Sequence, residues 1–144
     1  MILQAGIVAY FKTKTDITTL IGTGDNARIY PMIAPQKTTT PYIVFEKISN
    51  NHQHQLSGSS GFSRARIQFN VWSDTYLQAQ TLAEKIRLTF DGLHGIYMGD
   101  VFVQSVLQMD DDDLLDQDPE KQIADSYGVR MDYEFWFNET VPII

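Results

Sequence analysis

Hydrophobic residues recur at helical spacing in two long stretches of the chain. In residues 2–12 the apolar positions fit helical better than alternating spacing, with Gly6 as a weak point. After Ser73, a good N-cap residue, apolar side chains repeat every three or four positions and form one helical stripe: Tyr76, Ala79, Leu82, Ala83, Ile86 and Phe90. A shorter helical segment runs from Thr15 to Leu20. The pattern therefore predicts two or three helices.

Four other stretches predict strands. Residues 65–71 alternate strictly, with apolar residues on one face and Arg64, Arg66, Gln68 and Asn70 on the other. Residues 129–137 alternate in the same way, which places Arg130 on the polar face. Residues 42–48 are β-branched and aromatic, and residues 101–109 also have strand character. We therefore expect an α+β fold: a mainly antiparallel sheet of about four strands, with the helices packed on one face.

The 144 residues contain no internal repeat and no long Gly/Ser linker, so we expect a single domain over residues 1–144. Extended loops are predicted at about 22–41, 50–62 and 110–126. The first of these contains Pro31 and Pro35 and ends at Pro41, which favours an extended arm over a central strand.

Composition excludes several classes of protein. The chain has no cysteine, which removes a disulfide framework, thiolate catalysis and Cys-ligated zinc. It has no apolar run of the ~20 residues that a membrane helix needs, so we expect a soluble, cytosolic protein without a membrane partner.

The net charge of −7 comes from one segment. Residues 110–120 hold seven of the eighteen acids and no base; these are Asp110, Asp111, Asp112, Asp113, Asp116, Asp118 and Glu120. The rest of the chain carries eleven acids and eleven Lys and Arg residues. A neutral body without a basic face argues against sequence-specific nucleic-acid binding.

Apart from the acidic run, two motifs resemble functional sites, and each has a simpler explanation. Gly22-Thr23-Gly24-Asp25 follows a predicted helix and lacks the third glycine of a dinucleotide loop. His52 and His54 could share a metal, but they lie in a polar stretch. No nucleophile, base and orienting group fall into a recognisable motif. We therefore predict no catalytic residue, no cofactor and no metal.

The acidic run leaves three interpretations open. We favour a solvated loop that faces a partner, ahead of an inert loop and a specific cation site, because the run lacks the glycine and the spacing of a calcium hand. Trp136 lies on the otherwise polar face of the last strand, and tryptophan is enriched at interface hot spots. Together with the long loops, these residues favour a protein that makes contacts rather than one that turns over a substrate.

An ordered series of segments resembles the small tail completion proteins of long-tailed bacteriophages, also called tail terminator or tail-to-head joining proteins. The resemblance covers about residues 3–138. It rests on Arg28-Ile29-Tyr30-Pro31, Ala34-Pro35-Gln36, Pro41-Tyr42-Ile43-Val44-Phe45, Ala65-Arg66-Ile67-Gln68-Phe69-Asn70-Val71-Trp72, Asp91-Gly92 and Tyr127-Gly128-Val129-Arg130-Met131-Asp132-Tyr133. The chain departs from the family pattern after Asp118-Pro119-Glu120, where Lys121 to Ser126 is unlike it.

The resemblance implies a virion protein without catalytic residues. It would form a ring, typically hexameric, at the head-proximal end of the tail tube, stop tube growth and join the tube protein to a head-completion or connector protein. DNA would pass through the ring. Another ring of the neck region and, less favoured, a metal-dependent hydrolase are the alternatives.

A ring needs two different complementary patches on each subunit. One hypothesis pairs the acidic run with Arg64, Arg66 or Arg130 of the next subunit. Another places the acidic run in the lumen, where it would repel DNA phosphates.

Overall fold

The computed structural model describes residues 2–56, 58–118 and 123–142. Its helices are α1 (Leu3–Lys12), α2 (Thr15–Ile21) and α3 (Tyr76–Phe90). Its strands are β1 (Ile29–Pro31), β2 (Tyr42–Gln55), β3 (Gly58–Ser73), β4 (His94–Met98), β5 (Val101–Asp118) and β6 (Ile123–Asn138). The α+β class is confirmed. None of the helices in these residues is both long and apolar enough to cross a membrane.

The six strands form one mixed sheet in the order β1-β2-β3-β6-β5-β4. β1 runs parallel to β2, and every other neighbouring pair is antiparallel. The prediction of about four antiparallel strands was therefore incomplete, because it lacked the two short edge strands. β1 contains Pro31, which an edge strand tolerates since its missing N–H is not needed by a second neighbour.

The helices pack on one face of the sheet through aromatic side chains. The ring of Phe11 from α1 lies 4.8 Å from that of Phe90 in α3 and 5.4 Å from that of Phe69 in β3, measured between centroids. Phe90 also contacts Tyr133 of β6 at 6.1 Å. All four side chains are buried, and each such burial contributes about 1.5–3 kcal/mol. The alternation predicted for β3 and β6 therefore assigns their inner faces correctly.

The start of α3 differs from the prediction. Ser73 is the last residue of β3, and Thr75 is the N-cap, whose Oγ1 accepts a hydrogen bond from the backbone N–H of Gln78 at 3.2 Å. The Ser73 hydroxyl instead donates to the side-chain oxygen of Gln78. The cap thus lies two residues later than the sequence suggested.

Two of the three predicted long loops are largely strand. Residues 50–62 belong mainly to the hairpin of β2 and β3, and residues 110–118 continue β5. Neither region has a single apolar face, so its burial pattern does not distinguish a strand from a loop, and backbone pairing with the adjacent strand decides the conformation. Residues 119–122 of the loop predicted at 110–126 lie outside the described residues.

The two long hairpins project from opposite ends of the sheet. The last pair between β3 and β6 at one end is Phe62 with Asn138, and β3 continues to Gly58 paired only with β2. At the other end the last pair is Ser73 with Tyr127, and β6 begins four residues earlier, paired only with β5. At ~3.3 Å per residue, each hairpin extends about 13 Å beyond the central strands.

The proline-rich arm, residues 32–41, crosses from β1 to β2. Arg28 fixes its base: the guanidinium donates to the carbonyl of Leu20 at 2.7 Å and to that of Pro41 at 3.0 Å. Charge-assisted bonds to carbonyls at a helix end are among the stronger hydrogen bonds in proteins. Arg28 therefore ties the end of α2 to the start of β2.

Candidate assembly surface

The sheet face opposite the helices is polar, and the strand register brings the predicted site residues together on it. Arg64 lies beside Trp136, Arg66 beside Glu134, and Asn70 beside Arg130. On the far side of β6, Asp110 lies beside Asp132 and Asp112 beside Arg130. We call this surface the polar face; its members are Arg64, Arg66, Gln68, Asn70, Asp110, Asp112, Arg130, Asp132, Glu134 and Trp136.

Each arginine of the polar face pairs with an acid of a neighbouring strand in the same chain. The three ion pairs and their N–O distances are Arg66–Asp132 at 2.6 Å, Arg130–Asp112 at 2.5 Å and Arg64–Glu134 at 3.7 Å. Exposed pairs of this kind contribute about 0–1 kcal/mol each. These arginines therefore have acidic partners inside the subunit. They do not need the acidic run of the next subunit to balance their charge.

The four consecutive aspartates divide between the two faces of β5. Asp110 and Asp112 lie on the polar face, whereas Asp111 and Asp113 lie on the helix side, opposite Met131 and Val129. Asp113 accepts hydrogen bonds from the Tyr76 hydroxyl at 3.0 Å and from Nε2 of Gln80 at 2.8 Å. Its carboxylate raises the pKa of the Tyr76 hydroxyl, chiefly through that hydrogen bond.

This division argues against a cation site in the acidic run, because the carboxylates do not converge. The described part of the chain contains no group of three His, Cys, Asp or Glu side chains placed to hold a metal ion. The side chain of Asp118 lies outside the described residues.

Trp136 already has neighbours in its own chain. Its ring stacks on Phe62, with 5.4 Å between centroids, and the Arg64 guanidinium lies 5.1 Å above it. A cation over a tryptophan face contributes about 0.5–1 kcal/mol at an exposed site. The side chain is half-buried, so it offers a partner only part of its surface.

A groove of about 680 Å³ lies at the end of the polar face from which the β5–β6 hairpin projects. We call it the arm groove; its wall is the proline-rich arm, and its other main residues are Tyr42, Trp72, Leu115 and Asp116. Burial raises the pKa of the Tyr42 hydroxyl, and the negative charge of Asp116 raises it further. The Trp72 ring lies over Gly128, where a Cβ atom would come within 2.9 Å of the ring. Gly128 therefore leaves the space that seats this ring.

The opposite end of the sheet holds a small polar cluster around His52. Its Nδ1 atom lies 2.7 Å from a carboxylate oxygen of Glu139 and 3.1 Å from the hydroxyl of buried Ser63. Burial would raise the pKa of Glu139, but its hydrogen bonds to His52 and Ser63 bring it below the usual value. Because Ser63 and Glu139 contact the same ring nitrogen, the imidazole does not bridge them as it does in a hydrolytic triad.

Residues 5–138 match the model of the family described as tail completion protein gp17. The chain belongs to this family. It is therefore a structural protein of a phage or phage-like virion and not an enzyme, as the sequence resemblance implied.

The fold of this family member also occurs in a solved assembly. The chain matches a protein chain from the virion of a native gene transfer agent particle, with a TM-score of 0.72 and 12% sequence identity. The match covers 94% of this chain and 94% of that one. At that identity the likeness shows a shared fold. No curated protein matches the chain.

Sequence analysis did not find the arm groove or the cluster around His52. Tyr42 and Trp72 face each other at the ends of paired strands, and only the register of β2 against β3 brings them together. The one available signal was that Trp72 falls on the polar face of an alternating strand, as Trp136 does.

Proposed function

We propose that this tail completion protein forms a closed ring, most simply a hexamer, at the head-proximal end of the tail tube. The ring ends tube polymerisation and offers its opposite surface to a head-completion or connector protein. Membership of the tail completion family carries this proposal. The architecture supports it, because two projecting hairpins at opposite ends of the sheet give each subunit two different contact regions, which a ring requires.

The acids without an arginine partner favour a further role for the acidic run. Asp110 and Asp116 make no ion pair with any described side chain, and both are exposed. If the edge of β5 borders the lumen, these carboxylates repel DNA phosphates and limit adhesion as DNA passes.

A tube-length assay tests the proposal. Purified protein is added to tail tube protein during polymerisation, and tube lengths are measured by negative-stain electron microscopy. We expect shorter tubes with extra density at one end, in proportion to the protein added. If the protein binds purified connector but leaves tube length and tube ends unchanged, it is a neck protein and the terminator role is wrong.

A further inference from the structure

The arm groove contains two carboxylates without a cationic partner in the described part of the chain. Asp74 and Asp116 line the groove, and neither makes an ion pair with a described side chain. Lys37 is the one base among the lining residues, and it pairs with neither. Burial and, after it, the charge of Asp116 raise the pKa of the Tyr42 hydroxyl, so this carboxylate acts on the inside of the groove. The groove therefore attracts a cation.

Two aromatic rings lie beside these carboxylates. Tyr42 of β2 is the direct neighbour of Trp72 in β3, and both side chains line the groove. The Trp72 ring is seated over Gly128 and is half-buried, so part of its surface stays accessible. The face of an aromatic ring attracts the charged group of an arginine or a lysine. The same carboxylates repel phosphates, so the groove suits a basic side chain rather than a nucleic acid.

The proline-rich arm forms a fixed wall on one side of the groove. The backbone N–H of Met32 donates to the carbonyl of Phe45 at 2.8 Å, which ties the start of the arm to β2. Met32 and Lys37 have φ angles of 66° and 60°, a left-handed conformation that residues other than glycine seldom adopt. Ile33 between them is 80% exposed. A strained wall with an exposed aliphatic side chain is typical of a preformed binding site.

A second copy of this chain has no free arginine to place in the groove. All five arginines of the sequence have partners inside the subunit. Arg28 binds two backbone carbonyls, and the other four pair with acids: Arg64 with Glu134, Arg66 with Asp132, Arg87 with Glu84 and Arg130 with Asp112. A guanidinium fits an aromatic and acidic site better than an ammonium, because it is planar, stacks on rings and is weakly hydrated. These observations favour an arginine from a different protein.

We propose that the arm groove binds a short extended segment of a different virion protein, with an arginine of that segment stacked on Trp72 and paired with Asp116. The groove volume of about 680 Å³ exceeds that of one side chain several times, so residues next to the arginine also enter it and contact Ile33. Asp116 serves this contact, and Asp110 stays free to face the lumen. The identity of the partner rests on the proposed function, which offers the tail tube protein and the connector protein.

Arginine peptides test the site in the isolated protein. The probe is a capped tripeptide with a proline on each side of an arginine, and matched peptides carry lysine or glutamine in its place. Binding is followed by NMR through the indole N–H signals of Trp72 and Trp136, assigned with the variant Trp72→Phe. We expect the arginine peptide to shift the Trp72 signal most and the glutamine peptide not to shift it. The Trp136 signal should stay, because Arg64 already lies over that ring.

A charge substitution tests the role of Asp116 without a change of side-chain shape. We expect Asp116→Asn to bind the arginine peptide about fivefold more weakly than the wild type. The matched control is Asp110→Asn, an exposed aspartate outside the groove that also lacks an ion pair among the described residues, and it should bind as the wild type does.

Three results of the peptide experiment would overturn the proposal. The first is an unmoved Trp72 signal with the arginine peptide at about 10 mM. The second is binding of the glutamine or lysine peptide as tight as that of the arginine peptide. The third is unchanged affinity in Asp116→Asn.

Binding of purified tail tubes and of purified connector to the same variants identifies the partner. We expect Asp116→Asn to weaken binding to one of the two and Asp110→Asn to weaken neither. If the wild type binds tubes and Asp116→Asn binds both partners equally well, this contact is wrong and the proposed function stands. If the wild type binds neither partner but the arginine peptide still shifts the Trp72 signal, the groove recognises arginine and the proposed function is wrong.

Discussion

At the scale of single residues, Gly6 shows how close packing overrides local preference. Gly6 packs against the backbone of β4, and a Cβ atom there would collide with the carbonyl oxygen of Met98. Helix propensity alone favours alanine over glycine by about 1 kcal/mol. The sequence therefore suggested a weak point in α1, whereas the structure requires glycine at this position.

We predict that Gly6→Ala destabilises the protein, by about 1–3 kcal/mol, because the added methyl group forces α1 away from the sheet. Urea denaturation followed by circular dichroism measures the change. The control Ala5→Gly, at an exposed position on the same helix, should cost about 0.5–1 kcal/mol through propensity alone. A more stable Gly6→Ala variant would show that α1 is not held this close to β4.

Residue-level patterns predicted which way side chains point but not which residues meet. The alternation in β3 correctly placed Arg64 and Arg66 on the polar face. The ion-pair partners of Arg64 and Arg66 depend on the register of β3 against β6. The partner of Arg130 depends on the register of β5, which shifts at a bulge between Gln108 and Asp110. A one-residue slip would move every side chain of a strand to the other face. The pattern of one strand contains no information about the register of its neighbour.

At the scale of elements, hydrophobic periodicity did not predict the strand segments that have no buried face. The β2–β3 hairpin beyond Asn50 is polar on both sides, yet its strands stay paired as far as Gln55 and Gly58, across one irregularity between His52 and His54. β5 continues through four aspartates for the same reason. Among the described strands, β4 pairs with β5 only as far as Ser105, and charged residues on the free edge of β5 beyond that point discourage unwanted strand addition, which gives the acidic run a structural role of its own.

The C-terminal segment after β6 is attached to the β2–β3 hairpin by a contact that depends on pH. The backbone N–H of Glu139 donates to the carbonyl of Gly61 at 2.9 Å, and its carboxylate binds His52. Although burial acts in the opposite direction, the hydrogen bonds from His52 and Ser63 hold the pKa of Glu139 below its usual value in the folded protein. A carboxyl group with a lowered folded pKa stabilises the protein above its unfolded pKa, and this contribution is lost as pH falls through the folded value.

We therefore predict that Glu139→Gln lowers the melting temperature at pH 7 by about 2–4 °C, and that the difference from wild type disappears as pH falls through the lowered folded pKa of Glu139. Differential scanning fluorimetry between pH 3 and 7 measures both curves. In a His52→Gln background the same substitution should have a much smaller effect. A difference that is constant across the pH range would mean that the carboxylate is not stabilised by this contact.

At the scale of the whole molecule, the sheet has three regions of different character. One face holds the helices and the core, the other holds arginines neutralised within the subunit, and the two ends carry the projecting hairpins. The resemblance to tail completion proteins indicated the family from sequence. The distribution of exposed groups over the two ends became visible only when strands distant in the chain were placed side by side.

The most direct test of the proposed ring is native mass spectrometry combined with light scattering on a sizing column, over a series of protein and salt concentrations. We predict one closed species, a hexamer, in equilibrium with monomer. A protein that is monomeric at every concentration and does not bind purified tail tubes would contradict the account.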